Sequence, residues 1–190
     1  MEIALRSCSR HDLQGDAVVR IFAAVGTQKF PFNRLIDALD EVSRMSGFQV
    51  FVQYGNSKIP SRCDGSAFLD SSRYREMLAA ADVAVVHGGV GTMRSALSLD
   101  ARVVAVPRRA SYGEHVDDHQ LEIVSAFAEG DYIVPCYDID RLVEAIEEAA
   151  NRSFQRFEPA PCTIEDEISD LATSWGFAPF SHTDGGSGLR

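Results

Sequence analysis

Residues 83–97 read VAVVHGGVGTMRSAL: four β-prone residues run into His87, then Gly88, Gly89 and Gly91 with Thr92, then a helix-like run. First-turn amides of a helix lack intrahelical acceptors and carry positive partial charge, so such a junction binds anions, phosphate above all. Glycine lets a ligand approach the main chain closely. Two familiar phosphate loops do not fit. The P-loop needs a lysine after its last glycine, and none is present. The dinucleotide fingerprint, started at Gly89, would need glycine where Arg94 stands. A diphosphate without a complete dinucleotide fits better. The plainer alternative is a tight strand-to-helix turn with no ligand.

A second cluster, YGEHVDDHQ (112–120), again follows a strand and enters a helix. Asp118, His119 and Gln120 concentrate donors and acceptors, which suits vicinal hydroxyls. A first turn enriched in acids for dipole reasons reads the same way. His115 and His119 would form a metal-binding i,i+4 pair on a helix. With a helix starting at Val116, His115 lies outside it, and no metal site is expected. A third loop, VGTQKFPF (25–32), places Gly26 and Thr27 after the first strand, with Phe30 and Phe32 packing under the loop or rimming it.

The elements that must position these loops follow from the apolar runs. Strands are expected at 18–25, 48–54, 67–69, 82–86, 102–107 and 132–137, the last at a sheet edge because of Pro135. Helices are expected at 33–45, 72–80, from the glycine loop to Leu99, at 116–128, 138–151 and 164–173. Strand and helix alternate at βαβ spacing. This predicts an α/β fold, an open, mostly parallel Rossmann-like sheet with helices on both faces. Ligands of such sheets bind beyond the carboxyl ends of the strands. The chain divides into a loose extension (1–17), a Rossmann-like domain (18–151), a C-terminal helix and docking segment (152–180), and a tail of disordered composition (181–190). Trp175, Phe177 and Phe180 motivate the docking reading, and covering the protein's own sheet is the alternative.

A net charge of −10 over 190 residues disfavours a nucleic-acid or anionic-lipid binder. Cys8, Cys63, Cys136 and Cys162 form no C-x-x-C pair, which points to reduced thiols in a cytoplasmic protein. No apolar stretch approaches the roughly 18 residues that span a bilayer, so work at a membrane would come through a partner.

Taken in order, AVGTQKFPFNRLI, FVQYGNS, HGGVGT and YGEHVDDHQLEI, between Ile21 and Ile146, resemble one family. It is the donor-binding half of GT-B glycosyltransferases that make lipid-linked N-acetylglucosamine disaccharides. The likeness is greatest to the stand-alone catalytic subunits of two-component enzymes. These are the eukaryotic dolichol-diphosphate N-acetylglucosamine transferase and bacterial exopolysaccharide proteins paired with a membrane-associated subunit.

The resemblance implies half of a GT-B fold and an inverting transfer of a sugar, N-acetylglucosamine or glucuronic acid, from a UDP-sugar to a lipid-diphosphate acceptor. It implies no cofactor beyond that donor, and a membrane-associated acceptor-binding subunit as partner. By family pattern the diphosphate lies over Gly88, Gly89, Gly91 and Thr92, and main chain near Phe68 and Leu69 reads the uracil. Asp118, His119 and Gln120 hold the sugar, while Gly26, Thr27 and His87 line the cleft. Ser95 stands where the family usually has a glutamate clamping both ribose hydroxyls, and Asp100 where it has glycine. Aspartate tolerates the left-handed conformation a helix cap needs. For the catalytic base, Glu114 and His115 are candidates. Two alternatives are a non-catalytic nucleotide-sugar-binding or scaffold subunit, with Ser95 as its symptom, and a single-subunit hydrolase or epimerase.

Overall fold

Val83–His87 (β4) and Val103–Val106 (β5) are buried at every residue, as strands covered on both faces are. In the computed structural model, which describes residues 18–158, they lie in a sheet with Val19–Ala24 (β1), Phe48–Gln53 (β2), Asp64–Ser66 (β3) and Val134–Pro135 (β6). Its order is β3-β2-β1-β4-β5-β6 and every pairing is parallel. The chain starts in the middle, runs out to β3, and crosses back to β4. The order therefore reverses between β1 and β4, and the loops leaving their carboxyl ends part to form a crevice.

Alternate strand residues face opposite sides. On one side Val85 and Val104 meet Leu35, Ile36 and Leu39 of Asn33–Val42 (α1), and Leu142 and Ile146 of Leu142–Asn151 (α5). On the other, Ala84, Val86 and Ala105 meet Leu78 of Ser71–Ala80 (α2), Met93 and Leu97 of Val90–Leu97 (α3), and Val124 of His119–Glu129 (α4). The chain forms two compact units, residues 1–157 and 158–190. Within the first, Phe154 packs on the α1/α5 side and Phe157 on the other. The extension at 1–17, the helix expected at 164–173, the aromatics Trp175, Phe177 and Phe180, and the tail lie outside the described residues.

Four elements differ from expectation. The third strand is Asp64–Ser66, not 67–69, because it pairs with Phe51–Gln53 and leaves Phe68 exposed. At Gly65 a Cβ would stand 2.6 Å from the Val52 carbonyl oxygen, so the pairing admits little else. The last strand shortens to Val134–Pro135, since Pro135 has no N–H to extend the ladder. α4 begins at His119, not Val116. Helix α5 begins at Leu142 after a 3-10 turn, Ile139–Arg141, capped by the Asp138 carboxylate. After α3, Asp100 is left-handed at φ 54°, and the Ala101 amide reaches the Ala96 carbonyl at 3.2 Å. This is the cap geometry expected of a glycine substitute.

The loop after β2 is tied to α1 and so fixes the loop after β1. The buried Asp40 carboxylate accepts from the Ser61 amide and hydroxyl and the Arg62 amide at 2.8 Å, and from the Cys63 amide at 3.1 Å. Farther along, the Phe32 amide donates to Ser57 Oγ at 2.8 Å, and Asn56 Nδ2 donates to the Gln28 carbonyl at 3.0 Å. Burial alone would raise the Asp40 pKa, but the Ser61, Arg62 and Cys63 bonds outweigh it and hold it at about 2. The strap thus stabilises the fold above pH 3.8, the ordinary value, and is lost as pH falls toward 2. Asp40→Ala removes the acceptor of three amides, that of Cys63 buried, and is expected to cost about 3 kcal/mol by urea denaturation at neutral pH. The loss should shrink as wild type and variant are compared at progressively lower pH.

Candidate functional site

His87 ends β4 in the crevice, and its ring lies between two backbones. A Cβ on Gly26, at φ 87°, would stand 2.7 Å from His87 Nε2, and one on Gly89 would stand 2.2 Å from Cε1. These two glycines are therefore required by the histidine. Gly88 is required by a helix: its Cβ would meet Val124 Cγ2 at 2.8 Å and Gln120 Cβ at 3.0 Å. At Gly91 nothing lies within 4 Å. The protein's own packing gives no reason for glycine there, and the residue lines the cleft. Helix α3 starts from Gly89 with no side-chain cap and no acidic residue in its first turn. The amides of Val90, Gly91 and Thr92 are the orphan donors such a start leaves.

The cleft holds about 550 Å³, the range of small-molecule sites. It brings together Gly26, Thr27, Leu69, His87, Gly89, Gly91, Thr92 and Ser95. Gly88 lies behind it against α4, and Phe68 is 53% exposed beside it, its carbonyl accepting from Ser66 Oγ. Gln28, Gln53, Tyr74 and Arg75 also line it and were not singled out from the sequence. Gln53 had a signal, as a polar residue closing an apolar strand at its carboxyl end. Tyr74 and Arg75 lie within α2, where no local pattern marks them. Among the described residues Arg75 is the cation lining the cleft, with no ion pair.

The 112–120 cluster does not line this cleft; it braces it. Arg108, 1% exposed, donates from Nη1 to the Phe30 carbonyl at 2.8 Å and the Glu114 carbonyl at 3.0 Å, and from Nη2 to the Val25 carbonyl at 2.6 Å. The Arg108 amide donates to Gln120 Oε1 at 3.0 Å. Gln120 is 2% exposed, and its Nε2 lies 3.5 Å from His87 Nδ1. Glu114 is buried, and its carboxylate accepts from Arg34 Nε and Nη2 and from the Arg109 amide, each at 3.0 Å. The Asp118 carboxylate accepts from the Ala110 amide at 2.8 Å. These side-chain-to-backbone bonds hold residues 113–118 in turns, which is why α4 starts late. Both His115 and His119 pair with Asp117, and the three ligand atoms lie within 4.8 Å. The loop achieves this without the helical register on which the sequence argument relied.

Burial, foremost, and the Arg108 charge push the His87 pKa down to about 4. The ring is therefore neutral at physiological pH. Its folded pKa lies below the ordinary 6.5, so its contribution to stability is whole above pH 6.5 and falls away as pH drops through 4. The difference in unfolding free energy between wild type and His87→Gln should change by about 3 kcal/mol across that window. Chemical denaturation at stepped pH measures it.

The chain matches the model of the glycosyltransferase family 28 C-terminal domain over residues 20–174. No curated protein matches it in sequence. Among solved structures, the glycotransferase of kitacinnamycin is similar with a TM-score of 0.56 at 17% identity, over 77% of this chain and 39% of that one. The calicheamicin glycosyltransferase CalG4 follows at 0.51 and 15%, over 70% and 35%. The solution structure of ALG13 is similar at 0.47 and 14%, over 82% and 95%. The first two likenesses are of fold, and the chain spans less than two fifths of either enzyme's length. Its open parallel sheet corresponds to one Rossmann-like half of a GT-B glycosyltransferase. With a family model running through most of its length, this chain belongs to the glycosyltransferase family 28 C-terminal domains.

Proposed function

We propose that this chain is the donor-binding catalytic subunit of a two-component inverting glycosyltransferase. It takes a sugar, N-acetylglucosamine or glucuronic acid, from a UDP-sugar and passes it to a lipid-diphosphate-linked acceptor. The observation that carries this reading is the open start of α3. Uncapped amides and a glycine that nothing in the protein crowds face the cleft of a family 28 domain.

In this reading the donor diphosphate lies over Gly91 and Thr92, with Gly88 and Gly89 shaping the loop behind it. The amides are fixed before the reaction and meet the charge that grows on the departing diphosphate. Arg75 adds a cation from the opposite wall, so the proposed donor site calls on no metal or other cofactor. Leu69, Phe68 and the β3–α2 main chain take the uracil, and Ser95 the ribose. Thr27 and Gln28 approach the sugar from the β1–α1 loop, and Asp118 and His119, exposed where α4 starts, are the residues proposed to hold its hydroxyls.

The base that accepts the acceptor's proton is assigned to the partner. Both Glu114 oxygens are engaged by Arg34 and the Arg109 amide, and His115 is paired with Asp117. No helix among the described residues is long and apolar enough to cross a membrane. In the proposed pairing the acceptor-binding subunit is the membrane-associated one, with this chain at its cytoplasmic side.

Calorimetric titration with UDP and the two UDP-sugars tests the reading. Micromolar binding abolished by Gly91→Asp supports it. A Cβ there meets nothing within 4 Å and an acidic residue favours a helix start, so the variant is expected to fold, which its circular dichroism and thermal melt check. Millimolar or absent binding by wild type favours the scaffold alternative. Ser95→Glu, which restores a charged acceptor for the ribose, should tighten UDP binding about tenfold.

A further inference from the structure

The buried chain of groups behind the cleft has a direction, and the direction decides what Thr92 can offer a ligand. A backbone N–H can only donate. The Arg108 amide, 3.0 Å from Gln120, therefore faces the side-chain oxygen and fixes the flip of the carboxamide. Gln120 Nε2 then faces His87 Nδ1 at 3.5 Å. An amide nitrogen also only donates, so Nδ1 must present its lone pair. The proton of the neutral ring sits on Nε2, which donates to Thr92 Oγ1 at 3.1 Å. Thr92 Oγ1 is thereby occupied as an acceptor, and its own proton is free for the cleft that the residue lines. The opposite tautomer would set two buried donors against each other at Nδ1, an arrangement that costs the desolvation of both.

We propose that Gln120 is a positioning residue: through the tautomer of His87 it aims the Thr92 hydroxyl proton at the donor's diphosphate. The inference rests on the diphosphate lying at the start of α3. It assigns Gln120 a role different from holding the sugar, which agrees with its 2% exposure and its place behind the cleft. The steric fit supports it as well. Gly26 and Gly89 both approach the ring so closely that a Cβ on either would stand under 3 Å from it, which leaves the imidazole closely held. Burial, which keeps the ring uncharged near neutrality, leaves it one proton to place.

The experiment has two arms. In the free protein, long-range ¹H–¹⁵N correlation of the His87 ring reads the tautomer directly. The expected result is a protonated Nε2 and a pyridine-type Nδ1, and the reverse pattern overturns the proposal. Gln120→Glu should move the proton to Nδ1, because a carboxylate accepts where the amide donated. Thr92 must then donate to Nε2 and turn its lone pairs to the cleft, and UDP binding should weaken about tenfold, the loss of one charge-assisted hydrogen bond.

A carboxylate near a diphosphate also repels it, so the arm is repeated on Thr92→Val. If Thr92 carries the effect, Gln120→Glu has little further consequence there. An undiminished loss in the Thr92→Val background overturns the proposal in favour of simple repulsion. Failure of wild type to bind UDP, or indifference of binding to Gly91→Asp, would instead overturn the proposed function, and with it the aim assigned to the Thr92 proton. The free-protein spectrum would still decide the tautomer.

Discussion

Arg108 lies under the cleft with almost no exposure, and its guanidinium is shared among the carbonyls of Val25, Phe30 and Glu114. A buried cation is costly unless its donors find acceptors, and here Nη1 and Nη2 find them while Nε is buried without a partner. Here the acceptors are main-chain carbonyls from two loops distant in sequence, so satisfying the charge forces those loops together. The Phe32 ring closes over it at 4.8 Å. Through its amide the same residue orients Gln120, and through Gln120 the ring of His87. The loops after β1, β4 and β5 thus share one buried charge. The crevice that sheet topology opens between β1 and β4 acquires its fixed walls from this arrangement.

The glycines of the HGGVG segment divide the work between protein and ligand. Gly88 admits α4, and Gly89 with Gly26 admits the histidine. Gly91 admits nothing that the protein contains. A loop that looks uniform in sequence is therefore bare for different reasons, and at Gly91 alone of the three the reason lies outside the protein's own packing. Among the described α-helices only α2 has a side-chain cap, from Asp70, so what sets the start of α3 apart is its place in the cleft and not its missing cap.

The glycosyltransferase family 28 assignment and the half-GT-B architecture give these features a shared logic. The proposed donor site draws on the amides at the start of α3, on hydroxyls and on the Arg75 cation, all from residues that line one cleft. The groups best placed by chemistry to take a proton are otherwise engaged, Glu114 by Arg34 and His87 by Thr92 and Gln120. In the proposed function, binding of the donor and activation of the acceptor are accordingly given to separate subunits.

The sequence by itself determined the sheet, its parallel sense and the ligand edge, because these follow from alternation, apolar runs and punctuation that act over a few residues. It also marked the glycine junction, and Asp100 as a left-handed cap. It misplaced the third strand and the start of α4. Pairing partners fix the first, and a network of buried side chains around Glu114 and Asp118 fixes the second. Only the tertiary structure decided that Gln120 faces inward, that Arg108 serves main-chain carbonyls, and that Tyr74 and Arg75 of α2 reach the cleft. Each of these depends on what lies across the fold from a residue. Local periodicity carries no record of such neighbours, because the contacts join segments 12 to 83 residues apart.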